Sequence, residues 1–250
     1  DVYKRQIVMR LIPDGEVKEV NAVQPKFLDN KLISQPTVAL QLAVRELMNC
    51  GEQVGVILKK AAEKIDSGDG ASVEEFVKSR EVTAELTGKI TDYLAEMAAA
   101  GVMTEQQAAR TASRMYILSD VERMGTLSVE VAKCVQEKIE NRYKYTPEAM
   151  EELQKSLKTL EKMFTDSIKA LQGDKSVQTE KLIKRKDKIM DLDLKMRKAH
   201  VQRVNKGKCK ASLTTPFTNI LHLIDRMGNS CVNLADVASN EISLKYFMVN

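Results

Sequence analysis

The chain has 250 residues, 43% of them hydrophobic and 30% charged, a balance that suits one or two folded domains and excludes a disordered chain. Net charge is only +4, aromatics are 4%, Trp is absent, and 12 Met accompany many Leu, Ala, Lys and Glu, the residues that lose least free energy in helices. Five Pro and 11 Gly are too few for the turns of a sandwich or barrel, so the expectation is an all-α chain.

In chain order, residues 1–6 (DVYKRQ) differ in style from all that follows and read as a translated sequencing adapter joined to a gene fragment, outside any fold. Six helix starts come next. Pro36 occupies a first-turn position whose N–H has no partner, and Ser72 with Glu75, then Thr104 with Gln107, form capping boxes. The last three are Thr146 before Pro147, Ser176 in SVQTE, and Thr215 before Pro216. Stops lie between them at Ser67–Gly70, Gly101, the NRYKY stretch, Gly173 and Gly207. Within the first segment Val38, Leu42, Leu47, Cys50, Val54, Ile57, Leu58, Ala61 and Ile65 follow helical spacing and predict one buried stripe. Segments of about thirty residues make helices of roughly 45 Å, which pack only side by side in a bundle.

The order of features repeats. SGDGASVEEFVKSREVTAEL is followed about 105 residues later by LQGDKSVQTEKLIKRKDKIMDL, and LSDVERMGTLSVEVA about 103 later by HLIDRMGNSCVNLADVA. Helices one to three thus correspond to helices four to six, as two three-helix bundles.

Charge is uneven along the chain. Residues 181–210 hold twelve Lys or Arg against three Asp, a net of +9, so the fifth helix is strongly basic. Without interleaved aromatics for base stacking it does not read as a nucleic-acid surface. Lys184, Arg185 and Lys188 form a candidate patch toward anions or an anionic membrane surface. Cys50, Cys134, Cys209 and Cys231 form no CxxC pair, and with His200 and His222 they match no zinc spacing, so these residues read as packing or surface groups. No Ser-His-Asp set, phosphate-cradling loop, dinucleotide fingerprint or Glu-x-x-His is present, which argues against an enzyme, di-iron bundles included. No run approaches the ~18 apolar residues of a membrane span, so the chain by itself is expected to be soluble.

Ser119–Ala132 (SDVERMGTLSVEVA) and Leu223–Ala238 (LIDRMGNSCVNLADVA) resemble the two signature helices of PhoU, a bacterial phosphate-signalling family. Phe27–Val54, with an L-D motif and Pro before the first long helix, and His200–Cys209 are similar to the cytosolic PhoU-like tail of bacterial sodium/phosphate cotransporters. The resemblance spans roughly residues 26–240 and implies a PhoU-like fold of two tandem three-helix bundles of long antiparallel helices. The expected division is 1–25 as adapter and membrane-proximal linker, 26–145 as repeat one and 146–250 as repeat two.

In that family the signature helices carry E/D-x-x-x-D motifs whose carboxylates share a metal. Here Glu122 is followed by Thr126 and Asp225 by Asn229, leaving Glu122, Asp225 and Asn229 as the candidate metal ligands and removing much of the attraction for a cluster. No cofactor is expected. Asp120 points to another face than Glu122, while Glu81, Glu85, Asp187 and Asp191 read as solvent-facing acids. Gly125 and Gly228 allow close helix approach, and Arg123 and Arg226 suit acids of neighbouring helices. The implied function is a non-enzymatic regulatory domain of a sodium-dependent phosphate cotransporter at the cytoplasmic face of the inner membrane. Its partners would be the transporter's transmembrane domain, a second copy, or the anionic membrane surface. The alternative is a freestanding PhoU-type regulator of a phosphate importer and its sensor kinase.

Overall fold

A computed structural model describes residues 23–67, 73–171 and 179–239. Six long helices account for most of these: α1 (Pro36–Ser67), α2 (Val73–Ala99), α3 (Glu105–Glu140), α4 (Pro147–Leu171), α5 (Thr179–Asn205) and α6 (Thr214–Ser239). Helices α1–α3 pack on one another as one bundle and α4–α6 as a second. The bundles fuse along two seams, α3 against α6 and α1 against α4, which leaves α2 and α5 on the outside. The fold is all-α, as expected. The expected adapter, the Gly68–Gly70 and Gly173 breaks, and the Ser72 and Ser176 caps lie outside the described residues.

Local chemistry sets the described boundaries. Thr104 Oγ1 accepts from the Gln107 N–H and the Gln107 side chain accepts from the Thr104 N–H, a closed capping box. Thr146 Oγ1 accepts from the Ala149 N–H, with Pro147 next in line as the first helical residue. Gly101 and Gly207 both take φ of +67°, the left-handed conformation that costs glycine least. At Gly207 the Lys208 N–H reaches Arg203 O and the Gly207 N–H reaches Val204 O, a Schellman closure. The same pair of bonds closes α3, from Tyr143 to Lys138 O and from Arg142 to Ile139 O, but there the left-handed residue is Arg142, at φ 52°. Helix α6 follows directly on a 3-10 turn at Ala211–Leu213 and starts at Thr214, one residue before the expected cap.

The α1 stripe from Leu47 to Ile65 is buried as predicted. At its start Ala39 and Ala43 take the inner positions and Val38 and Leu42 are half-buried. Small residues bring the bundles together: Gly51 faces Ile168 and Gly55 faces Phe164 across the α1–α4 seam. The repeat register is also visible in burial, since Phe76, Thr83 and Ile90 of α2 recur 106 residues later as Leu182, Ile189 and Met196 of α5.

Residues 23–35, ahead of α1, are tied across α1 and α2. The buried Glu46 accepts from the Phe27 N–H at 2.7 Å and from Asn49 Nδ2 at 2.8 Å, and Arg45 stacks on the Phe27 ring at 4.7 Å. Asp29 Oδ1 accepts from the Lys31 N–H and its carbonyl accepts from Tyr93 O–H. Glu85 accepts from the Val23 N–H at 3.1 Å and pairs with Lys89 at 3.1 Å. Glu85 is therefore a half-buried anchor for the entering chain, and the reading of it as a solvated acid is corrected; Glu81, Asp187 and Asp191 are exposed.

Candidate functional site between the second and third helices of each repeat

The signature carboxylates face cations. Glu122 of α3 lies 3.5 Å from the Arg80 guanidinium of α2, and Asp225 of α6 accepts from Lys186 Nζ of α5. The registers that relate the repeats, 103 residues for the third helices and 106 for the second, carry Glu122 onto Asp225 and Arg80 onto Lys186. One ion pair is thus built twice in equivalent places. The pairs differ in depth: the Arg80 and Glu122 side chains are 37% and 45% exposed, whereas that of Lys186 is 8% exposed against 40% for Asp225.

Gly228 is what lets Lys186 lie there. A Cβ at Gly228 would stand 2.7 Å from Lys186 Cδ and 3.0 Å from Cε, so the lysine stem runs over bare backbone. Its counterpart Gly125 has only ordinary spacing, with Val54 Cγ2 at 3.6 Å. The close approach expected at both glycines is present at Gly228 alone.

Thr126 Oγ1 donates to its own helix at Glu122 O, and Asn229 is exposed. Glu122 and Asp225 each meet a cation where a second carboxylate would favour a metal. Among the described residues no group of three or more His, Cys, Asp or Glu gathers closely enough to hold an ion. Arg185 does not join Lys184 and Lys188: it is half-buried and donates to Asp166 of α4, which corrects the basic patch to the two exposed lysines.

The remaining candidates separate. Buried His200 holds Thr214 Oγ1 at 3.0 Å, stacks on Phe217 at 4.9 Å, and has Cys209 Sγ 4.0 Å from Nδ1. Burial and, to a lesser degree, Arg203 hold its imidazole below its ordinary pKa. His222 is exposed, and Cys231 is buried near Asp120 with its thiol pushed up by that burial. Arg123 lies 3.7 Å from Asp120 on its own helix.

Sequence reasoning missed a groove of about 810 Å³ between α1, α3 and the end of α4. Arg45, Arg110 and Arg114 line it with Gln41, Leu40 and Leu171, and no carboxylate is among the lining residues. The i,i+4 spacing of Arg110 and Arg114 carried a signal for it. Guanidinium groups recognise carboxylates and phosphates by paired hydrogen bonds.

Two three-helix bundles in tandem, with an equivalent charged pair on each, define the architectural class. Residues 153–238, which cover α5, α6 and most of α4, match the PhoU domain family. The fold is similar to the crystal structure of PhoU from Pseudomonas aeruginosa, with a TM-score of 0.74 at 14% identity, covering 81% of this chain and 96% of that one. It is also similar to the phosphate transport system regulatory protein PhoU from Streptococcus pneumoniae, with a TM-score of 0.72 at 19% identity over 84% and 97% of the two chains. No curated protein sequence matches.

Proposed function

We propose that this chain is a PhoU-type regulatory module, without catalysis of its own, that modulates phosphate uptake. The observation that carries the reading is the PhoU match over α4–α6 together with the recurrence of the same helix order and charged pair in α1–α3. We further propose that it is the cytosolic domain of a sodium-dependent phosphate cotransporter, docking on that protein's transmembrane part. This finer reading draws on the Phe27–Pro36 entry segment, whose cotransporter-like L-D motif has a structural task. Asp29 and Phe27 fasten the chain to α1 and α2, which suits a domain that must be held firmly by its entry point.

Among the described residues no helix is long and apolar enough to cross a membrane, so such a part would lie elsewhere in the protein. The second reading, a freestanding regulator of a phosphate importer, draws on the Streptococcus pneumoniae protein. The test is phosphate uptake by cells carrying the intact locus or an in-frame deletion of the segment for residues 27–239. Altered sodium-dependent uptake supports the cotransporter reading, and unchanged sodium-dependent uptake with a derepressed phosphate-starvation reporter supports the second. No change in either overturns both.

A further inference from the structure

The groove of about 810 Å³ between α1, α3 and the end of α4 occupies a place that the two repeats finish differently. The 103-residue register that carries Glu122 onto Asp225 also carries Arg110 onto Leu213 and Arg114 onto Phe217. Leu213 and Phe217 are buried, and the Phe217 ring lies 5.4 Å from that of Tyr145 and 4.9 Å from that of His200, so the second repeat fills these positions with core. In the first repeat the same two positions are guanidinium groups that line open space. Two arginines in place of Leu and Phe give up close-packed apolar burial, which suits a site that a ligand completes.

Arg45 of α1 adds a third cation to the wall. Its guanidinium lies over the Phe27 ring at 4.7 Å, a contact that uses the flat face of the group and not its N–H edges. Arg110 and Arg114 also interact with other groups of their own chain, so a ligand shares or exchanges those contacts rather than meeting bare charges. Helices α1 and α3 run parallel, with Gln107 bonded to Thr37 near their starts and Lys138 to Ile65 O near their ends, so both begin beside the groove and α4 ends there. Each helix end carries about half a charge, and the two positive ends and one negative end sum to little beside three guanidiniums. The groove is therefore cationic.

The rest of its wall is aliphatic, from Leu40, Val44, Met48 and Leu171, with the exposed amides of Gln41 and Gln106 beside it. Guanidiniums hold phosphate oxygens through paired hydrogen bonds, an aliphatic wall takes the face of a base by burial and dispersion, and an amide both donates to and accepts from a base edge. The volume suits a whole small molecule, whereas an inorganic phosphate ion would leave most of it empty. We propose that this groove binds a nucleoside polyphosphate, with Arg45, Arg110 and Arg114 on the phosphates and the aliphatic wall against the base. It shares no residue with the charged pairs at Glu122 and Asp225, and the proposal holds whether or not the chain regulates phosphate transport.

Isothermal titration calorimetry of the chain with ATP and with GTP is expected to show saturable binding of one nucleotide per chain. AMP, pyrophosphate and inorganic phosphate are each expected to bind at least about tenfold more weakly than the better triphosphate. Arg45→Gln and Arg110→Gln, both at exposed positions, should each weaken that nucleotide about tenfold while circular dichroism and the melting transition stay as in the parent. Arg114→Phe, which installs the second-repeat residue, is expected to fill the groove and abolish binding, and Arg114→Lys, which keeps the charge and loses the fork, to fall between it and the parent. No saturable binding of either triphosphate, binding indifferent to both exposed substitutions, or pyrophosphate as tight as the triphosphates overturns the proposal. If phosphatidylglycerol vesicles bind in an Arg110-dependent way and the nucleotides do not, it is overturned as well, and the groove is a site for lipid headgroups.

Discussion

Ser230 of α6 donates to Asp120 of α3 at 3.2 Å, across the seam between the bundles, where the Asp120 residue is only 2% exposed. Burial pushes the Asp120 carboxyl above its usual range, against the smaller opposing effects of Arg123, Ser230 and Asn233. Between the ordinary value of 3.8 and the raised one, the folded chain holds a proton that the unfolded chain has lost, so this group's contribution to stability falls as pH rises through that window. Asp120→Asn keeps an acceptor for Ser230 and has no such loss. It is expected to match the parent near or below pH 3.8 and to exceed it increasingly above, as measured by urea denaturation across pH. Asp120→Ala strands the Ser230 hydroxyl and is expected to cost about 1–3 kcal/mol. A constant offset between Asp120→Asn and the parent at all pH values would remove the argument.

The paired glycines separate two effects that sequence alone merges. Gly125→Ala meets only Val54 at 3.6 Å and Arg80 at 4.0 Å, so the better helix former is expected to raise stability by about 0.5–1 kcal/mol. At Gly228 the same change displaces the Lys186 stem from over the backbone and away from Asp225, and the loss of that contact is expected to cancel most of the helix gain, leaving stability within about 0.5 kcal/mol of the parent. Thermal denaturation should therefore show a clear rise for Gly125→Ala and little change for Gly228→Ala. Shifts of the same sign and size would mean that the lysine stem yields freely.

Arg142 pays for a turn that glycine makes at the end of α5. It is exposed, its φ is 52°, and its Schellman bonds run through backbone atoms that any residue supplies. A non-glycine residue in this conformation costs roughly 1–2 kcal/mol, so Arg142→Gly is expected to stabilise the chain by about 1 kcal/mol. Arg142→Val, with a branched Cβ in the same place, should do the reverse. A denaturation midpoint unmoved by either change would show the turn to be unstrained.

These cases also mark what the sequence could and could not disclose. Thr104 with Gln107, and Gly101 and Gly207, were legible because a cap or a left-handed glycine is local chemistry within a few residues. The duplication was legible because Arg-Met-Gly recurs in a fixed register. Asp120, Glu85 and Arg185 were not, because their burial and partners are set by residues 110, 62 and 19 positions away. The identity of the signature carboxylates could be read, but the cations facing them could not, since a helix of alternating Lys, Arg and Asp does not say which side chain turns inward.

That last distinction is testable at the second-repeat pair. Lys186 is the buried member and Asp225 the half-exposed one, so the two removals should not be equivalent. Asp225→Ala leaves an ammonium with no carboxylate in a site that excludes most water, and about 1–3 kcal/mol of stability should be lost. Lys186→Met keeps the stem over Gly228, removes the charge, and returns Asp225 to solvent, so its cost should stay within about 1 kcal/mol. In the first repeat both partners are more than a third exposed, and Glu122→Ala should change stability by no more than about 0.5 kcal/mol. Denaturant midpoints of the three variants check the order. If Lys186→Met cost as much as Asp225→Ala, the pair itself, rather than the shelter given to one charge, would be the stabilising element.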